Sequence, residues 1–432
     1  MILSKILKNK VVQNAYWIII CKIIQSICSL FISILTARYL GPANYGIISY
    51  AQSLVGFVSP IMQLGITSVI VQELIENKNE EGKIIGTSIV ASMISALFCM
   101  LGIALFVSIA NAGETETLVV CALYSTILLS QSFELIIYWF QAHYLSKVYS
   151  LVSLIVYFII SAYKVFLLAT HKSVHWFALS NSLDYLLIGV ILHIIYKRKE
   201  TQKLEIDKAI FRRILKRSKY YIVSGLMVTI CAQTDRIMLK NMIDDATTGY
   251  YSAAASTLTM TGFLFTAIID SMRPSIFEHK KTSKEAYENS VVKLYSIIVY
   301  TAVMLSILYC LFSKLIIGIL YGEAYAPAIK VLRILTWYTS FSYFGGAKDV
   351  WVLSEGKQKY LIYTYMAGAV TNVLLNYYLI PSFGASGAAV ASLITQILVN
   401  IIMPFIIRPL RYNNRLLLRA LNPSVRHICC LY

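Results

Sequence analysis

Apolar residues run along this chain in long blocks, separated by short polar stretches. A bilayer core about 30 Å thick takes about 20 apolar residues per helix. Blocks of that size or longer fall at 11–38, 45–73, 84–110, 117–141, 148–169, 175–196, 218–240, 249–272, 289–317, 328–353, 358–380 and 386–408. They predict an all-α integral membrane protein with about twelve transmembrane helices. Several are long enough to tilt or to project past the membrane. An even number puts both termini on one side.

The longest polar interruption is Lys197–Ser218. It is basic and partly amphipathic, with Ile206, Ile210 and Ile214 at helical spacing. It divides the pattern into an N-terminal six-helix lobe (1–197), a basic linker (198–217), a C-terminal six-helix lobe (218–410) and a cytoplasmic tail (411–432). A short internal repeat supports the division: Gly46, Ser49, Ala51 and Ser53 align with Gly249, Ser252, Ala254 and Ser256. Two six-helix lobes with one in–out order imply a pseudo-two-fold along the membrane normal. Transporters built this way bind substrate between the lobes.

Composition narrows the class. Hydrophobic residues make up 58% of the 432 and charged residues 14%, against about 25% charged in soluble domains. Mean hydropathy is +0.68. A soluble fold so poor in charge could not cover its surface. The net charge of +17 would otherwise suggest nucleic acid, but no basic patch interleaved with stacking aromatics is visible, so no nucleic-acid partner is expected.

The basic residues lie in alternate connections instead. One side holds Lys78, Lys83, Lys147, the run Lys197–Arg217, then Arg273, Lys280, Lys281, Lys284, Lys357, Lys359 and Arg408–Arg426. The other holds Arg38, Lys172 and Lys240. The positive-inside rule makes both termini cytoplasmic. Lys5, Lys8 and Lys10 precede an apolar segment too long for a cleaved signal peptide, so it reads as a retained first helix. Six of the eight cysteines sit in apolar runs as small hydrophobes. Cys429–Cys430 reads as tail or as a lipidation site.

Ionisable groups inside spans are costly and usually face a bundle interior or an aqueous cavity. Lys22 shares a helix face with Gln25, Ser26, Ser29 and Ser33; Lys164 continues a face with Ser153, Tyr157 and Ser161. Lys330, Arg333, Trp337, Ser340 and Phe344 form another, and Gln131, Glu134, Tyr138 and Gln141 a fourth. Asp235 stands beside Arg236, and Asp184 and Asp270 are isolated acids. Serine-only faces read as helix–helix glue. Faces bearing Lys or Arg read as candidate anion contacts: Lys22, Lys164, Arg236 and Arg333, with Arg38, Lys330 and Trp337 as substrate-binding or structural. Lys330, Arg38 and Lys314 can also snorkel from helix ends. Glu134, Asp184, Asp235 and Asp270 are candidates for ion coupling, and Asp235 equally a counter-ion for Arg236.

Enzyme signals are weak. There is no phosphate-binding GxxxxGK[ST] loop and no HExxH. His171 and His175 lack a third ligand, so neither metal nor cofactor is expected. Gly384-Ala385-Ser386-Gly387 reads as a tight turn between two spans.

Several motifs resemble a known family: Ala37-Arg38-Tyr39-Leu40-Gly41-Pro42 with Tyr45-Gly46, Thr234–Leu239, Gly249–Ala254, Leu320-Tyr321-Gly322 with Tyr325, and Asn372, Asn376, Ile380-Pro381, Gly384 and Gly387–Ala389. In this order and spacing the chain resembles bacterial polysaccharide repeat-unit (O-antigen or capsule) flippases of the multidrug/oligosaccharidyl-lipid/polysaccharide exporter superfamily. The resemblance implies two six-helix lobes around a central cavity in the bacterial inner membrane. It implies translocation of undecaprenyl-diphosphate-linked oligosaccharides to the outer leaflet by alternating access, with lipid-linked oligosaccharide, membrane lipid and other glycan-assembly proteins as partners. Two rivals remain open: a drug/cation antiporter of the same superfamily, and a membrane-embedded glycan polymerase or glycosyltransferase.

Overall fold

The computed structural model describes residues 10–199 and 202–421, and every regular element among them is a helix. The charge and lipidation expectations at Lys5, Lys8, Arg426 and Cys429–Cys430 fall outside the described residues.

The first helical stretch, Lys10–Met62, is two helices joined at Gly41, where φ is +73°. Twelve residues of continuous helix rise about 18 Å. Ser33 Oγ nevertheless lies 3.4 Å from Tyr45 Oη, so the chain reverses between arms 10–40 (α1) and 42–62 (α2). Glycine supplies the positive φ, and Pro42 follows where a missing N–H costs nothing. The last long stretch repeats the device. Lys359–Ile397 turns at Gly384, with φ +55°, and its second arm continues to Ile406. Across that turn Asn372 Nδ2 approaches Ser392 Oγ at 3.4 Å.

Between these hairpins lie α3 (Ile70–Glu76), α4 (Glu81–Ala110), the broken α5 (Thr115–Ala142), α6 (Ser146–Ala169), α7 (Val174–Lys199), α8 (Lys208–Met242), α9 (Asp245–Thr282), α10 (Lys284–Leu320) and α11 (Ala328–Ser354). Arms 359–383 and 385–406 are α12 and α13, and α14 is Arg411–Leu421. Nine stretches among the described residues are long and apolar enough to cross a membrane. Two of them are the hairpins, and α11 completes twelve spans. Its four charges (Lys330, Arg333, Lys348 and Asp349) lower its apolar character, but its 27 residues reach about 40 Å. Side chains such as Phe98, Ile109 and Leu311 are exposed and face the lipid.

Two boundaries differ from the sequence pattern. The second span ends at Met62 rather than 73, because Leu64 and Gly65 take positive φ. Gly65 is needed there: a Cβ would come within 2.6 Å of Ser218 O, and Ser218 Oγ donates to Leu64 O at 2.7 Å. The seventh span begins at Lys208 rather than 218. Asp207 caps it, accepting from Ala209 N at 2.7 Å and Ile210 N at 3.3 Å. Arg213 and Arg217 then hold fully buried Glu73 at 3.1 and 2.7 Å.

The chain divides into two compact units, Met1–Gln233 and Thr234–Tyr432, and the division falls inside α8. The N-terminal core gathers Ile84, Ile85, Ile136, Phe140 and Leu192. The C-terminal core gathers Tyr295, Ile298, Trp351 and Leu416. The last of these comes from α14, which is fixed to α10 by a 2.6 Å bond from Tyr295 Oη to Asn413 and by the Arg419–Glu288 ion pair at 2.7 Å. Within the repeat found in sequence, Ser49, Ala51, Ser252 and Ala254 are each at most 4% exposed, whereas Ser53 is buried and its counterpart Ser256 half-buried.

Candidate functional site

The N-terminal unit encloses a polar cavity of about 500 Å³. Its walls are the helix faces that the spacing defines: Lys22 and Gln25 from α1, Gln131, Glu134, Tyr138 and Gln141 from α5, Tyr149, Ser153 and Tyr157 from α6, and Asp184 and Tyr185 from α7. Gly189 lets α7 lie directly on α5, since a Cβ there would stand 2.8 Å from that of Phe133. Thr126 and Ser182 join the same helices at 2.6 Å. Asp184 consequently lies close enough to Glu134 to repel it and to Lys164 to attract it. Lys164 itself donates to Asn181 Oδ1 at 2.8 Å. Buried Gln131 Oε1, Asp184 Oδ1 and Ser92 Oγ have no hydrogen-bond partner among the described residues. The polar part of the lining is therefore mainly amide, phenol and hydroxyl, with one lysine and two carboxylates.

The C-terminal unit treats its buried acid differently. Asp235, 4% exposed, accepts from four side chains: Tyr251 Oη, Ser392 Oγ, Asn376 Nδ2 at 2.7 Å and Asn372 Nδ2 at 3.2 Å. Asn372 and Asn376 share one face of α12. Gly387 brings α13 against it, where a Cβ would meet Leu379 O at 2.3 Å. One carboxylate amid neutral oxygens is a hard donor set. Once the amides turn their carbonyls inward, it suits a proton or a small alkali cation better than a transition metal.

The remaining candidates are spread over this unit. Arg236 Nε donates to Ser252 Oγ at 3.2 Å and lies 5.9 Å from the Tyr251 ring. Arg333 donates to Ser313 Oγ at 2.7 Å. With Lys330 it lines a separate cavity of about 630 Å³ beside Tyr250, Phe383 and Gly384. Both are exposed, and Trp337, one turn on, is half-buried. Asp270 is exposed and paired with Arg273 at 3.1 Å. In the N-terminal unit Arg38 is exposed at the end of α1. The four proposed cations thus divide between the units, and of them Lys22 alone lines the 500 Å³ cavity. His175 bonds Ser173 at 3.2 Å, and no metal-binding group of His, Cys, Asp and Glu occurs among the described residues.

Sequence reasoning missed Lys348, which is 1% exposed. It donates to Asn400 Oδ1 at 2.9 Å and lies 3.5 Å from Asp349. Asn400 sits in a π-helical turn, Leu398–Ile402, a feature frequent at functional sites. It presses against Gly345, where a Cβ would be 2.7 Å away. The available signal was a Lys–Asp pair inside an apolar run, three residues after a glycine.

The chain is 22% identical to a protein named "Putative O-antigen transporter" of Shigella flexneri, over 90% of this chain and 95% of that one. It is 29% identical to an uncharacterized membrane protein of Methanocaldococcus jannaschii, over 49% of this chain and only 44% of that relative's length. Among solved structures, the lipid II flippase MurJ in an inward closed conformation superposes with a TM-score of 0.73 at 15% identity, covering 94% of this chain and 90% of that one. At that identity the likeness concerns the fold. The model of a family described as polysaccharide biosynthesis protein matches residues 11–280. With well over half of its length matched, this multi-pass membrane protein belongs to the polysaccharide biosynthesis protein family.

Proposed function

We propose that the protein is a flippase that moves a lipid-diphosphate-linked oligosaccharide, of the undecaprenyl type, from the cytoplasmic to the outer leaflet of a bacterial inner membrane. The observation that carries the reading is the polar cavity of about 500 Å³ within a unit of membrane-spanning helices. A sugar-diphosphate cannot cross bare hydrocarbon, and this lining offers hydrogen bonds to its sugars. Family membership and the name of the Shigella relative support a saccharide cargo. Lys22, on the cavity lining, is the first candidate contact for an anionic group; Lys164, Arg236 and Arg333 are the others. The lobes rock about the bound head group, with both termini cytoplasmic. Of the four acids, Asp235 is the best coupling group, because its four donors give a proton or cation something to displace. The enzyme reading is set aside, since the relative and the structural neighbour are named as transporter and flippase.

The test is leaflet transfer of a lipid-diphosphate sugar by purified protein in liposomes. Transfer by wild type, lost in Lys22→Ala, is the expected result. No transfer by well-folded wild type rejects the proposal. One observation favours the drug/cation antiporter instead: Glu134 and Asp184 make the ionisable lining of the cavity more acidic than basic. Uptake of cationic dyes against an ion gradient, with no lipid transfer, would decide for that reading.

A further inference from the structure

We infer that the cavity of the N-terminal unit reads the sugars of the cargo rather than its diphosphate, and that Glu134 and Asp184 are specificity determinants that favour hydroxyl- and amide-bearing sugars over acidic ones. The inference rests on the flippase reading above.

The cavity presents acceptors. An ionised carboxylate accepts and cannot donate, and two carboxyl groups, Glu134 and Asp184, face this space. Asp184 Oδ1, Gln131 Oε1 and Ser92 Oγ are buried there with no partner among the described residues. The Asp184 and Gln131 oxygens call for donors, and the Ser92 hydroxyl takes either kind of partner. Phosphate oxygens are acceptors bearing negative charge, so Glu134 and Asp184 repel a diphosphate. Lys164, beside Asp184, gives a hydrogen bond to Asn181 Oδ1 at 2.8 Å and is not among the lining residues of this cavity. Sugar hydroxyls and acetamido N–H groups supply the missing donors. The phenol rings of Tyr138, Tyr157 and Tyr185 add flat surfaces for the apolar faces of pyranose rings. A cavity of about 500 Å³ lies in the range of small-ligand sites. Lys22, on the α1 wall, is left for the charged end of the cargo.

Discrimination then follows from repulsion as well as attraction. The carboxylate of an acidic sugar placed beside Asp184 and Glu134 brings like charges together in a poorly screened space. Gln131 would remain without its donor.

The experiment compares two probes in the same liposomes: a polyprenyl-diphosphate carrying an N-acetylhexosamine, and one carrying a hexuronic acid. Wild type is expected to move the first faster, by on the order of tenfold. Glu134→Gln and Asp184→Asn keep the shape and remove the charge. Each is expected to lower that ratio severalfold, whatever the absolute rates. Equal rates for the two probes in wild type would overturn the inference and leave the flippase reading standing. An unchanged ratio in both variants would overturn the assignment to Glu134 and Asp184. Movement of neither probe by wild type removes the flippase reading and the inference with it. Should the variants fail to accumulate, the wild-type ratio decides.

Discussion

Glu134 and Asp184 of the N-terminal unit face a cavity in which several polar atoms have no partner among the described residues. Asp235 of the C-terminal unit meets four donors, and buried Lys348 meets Asn400 and Asp349. Both arrangements put charge at membrane depth, yet they distribute its cost differently. A carboxylate held by its own protein contributes to folding, and removing it strands its donors. A carboxylate facing open space contributes little to folding and is free to answer a ligand. The contrast separates a carboxylate tied into the fold from carboxylates left open to the cavity.

The sharpest way to break this contrast is Asp235→Ala. Four donors lose their acceptor, at about 1–3 kcal/mol for each one left unsatisfied. Thermal unfolding in detergent is expected to show a loss of several kcal/mol, and leaflet transfer to vanish. Asp235→Asn keeps the shape and loses the charge. Full transfer by a stable Asn variant would exclude a coupling role.

Next come the two close approaches that build the sites. Gly387→Ala would drive a Cβ to 2.3 Å from Leu379 O, whereas Gly189→Ala would bring one to 2.8 Å from Phe133 Cβ and 3.0 Å from the Phe133 carbonyl carbon. Overpacking costs about 1–3 kcal/mol. The alanine at 387 is expected at the upper end, because its contact with backbone is the shorter of the two. Equal melting temperatures for the two variants would contradict the tighter closure of the C-terminal hairpin.

Asp184→Ala is expected to change stability by less than about 1 kcal/mol, since Lys164 keeps Asn181, while transfer falls at least severalfold. A melting loss as large as that of Asp235→Ala would erase the contrast.

The smallest effect concerns Asp207, outside the spans. Backbone N–H groups of Ala209 and Ile210 hold its carboxyl below the usual carboxylate range. A depressed acid stabilises above its unfolded value, near about 3.9. That contribution is lost as pH falls through the folded value. Asp207→Ala should lower stability slightly near neutrality and abolish this part of the acid sensitivity. Parallel melting-versus-pH curves for variant and wild type would refute the cap.

The twelve spans were legible because apolar length is a local property, and Gly41 and Gly384 announced their reversals beside Pro42 and Pro381. The ends of α2 and α8 were not, because the break at Gly65 depends on Ser218 lying against it. Helix faces were equally readable: Gln131, Glu134, Tyr138 and Gln141 do share a wall. Which faces meet is a tertiary matter. Nothing in the spacing said that α7 would bring Asp184 to Glu134, nor that Asn372, Asn376 and Ser392 would close on Asp235. Lys330 and Arg333 likewise share one lining, that of the second cavity.

The breaks in α5 have a mechanical consequence. Around Glu134 the backbone bonds reach back three residues instead of four: Leu135 N to Ser132 O, Tyr138 N to Leu135 O and Trp139 N to Ile136 O, at 3.4, 3.2 and 3.1 Å. Such turns wind about 20° further per residue than an α-helix. Relaxing them would swing Tyr138 and Gln141 around the helix axis relative to Gln131, like a torsion bar, and reshape the binding wall without shifting any neighbouring rod. Spin labels at 131 and 141, measured with and without cargo, would register that rotation as a changed separation; an invariant separation would show the wall to be rigid.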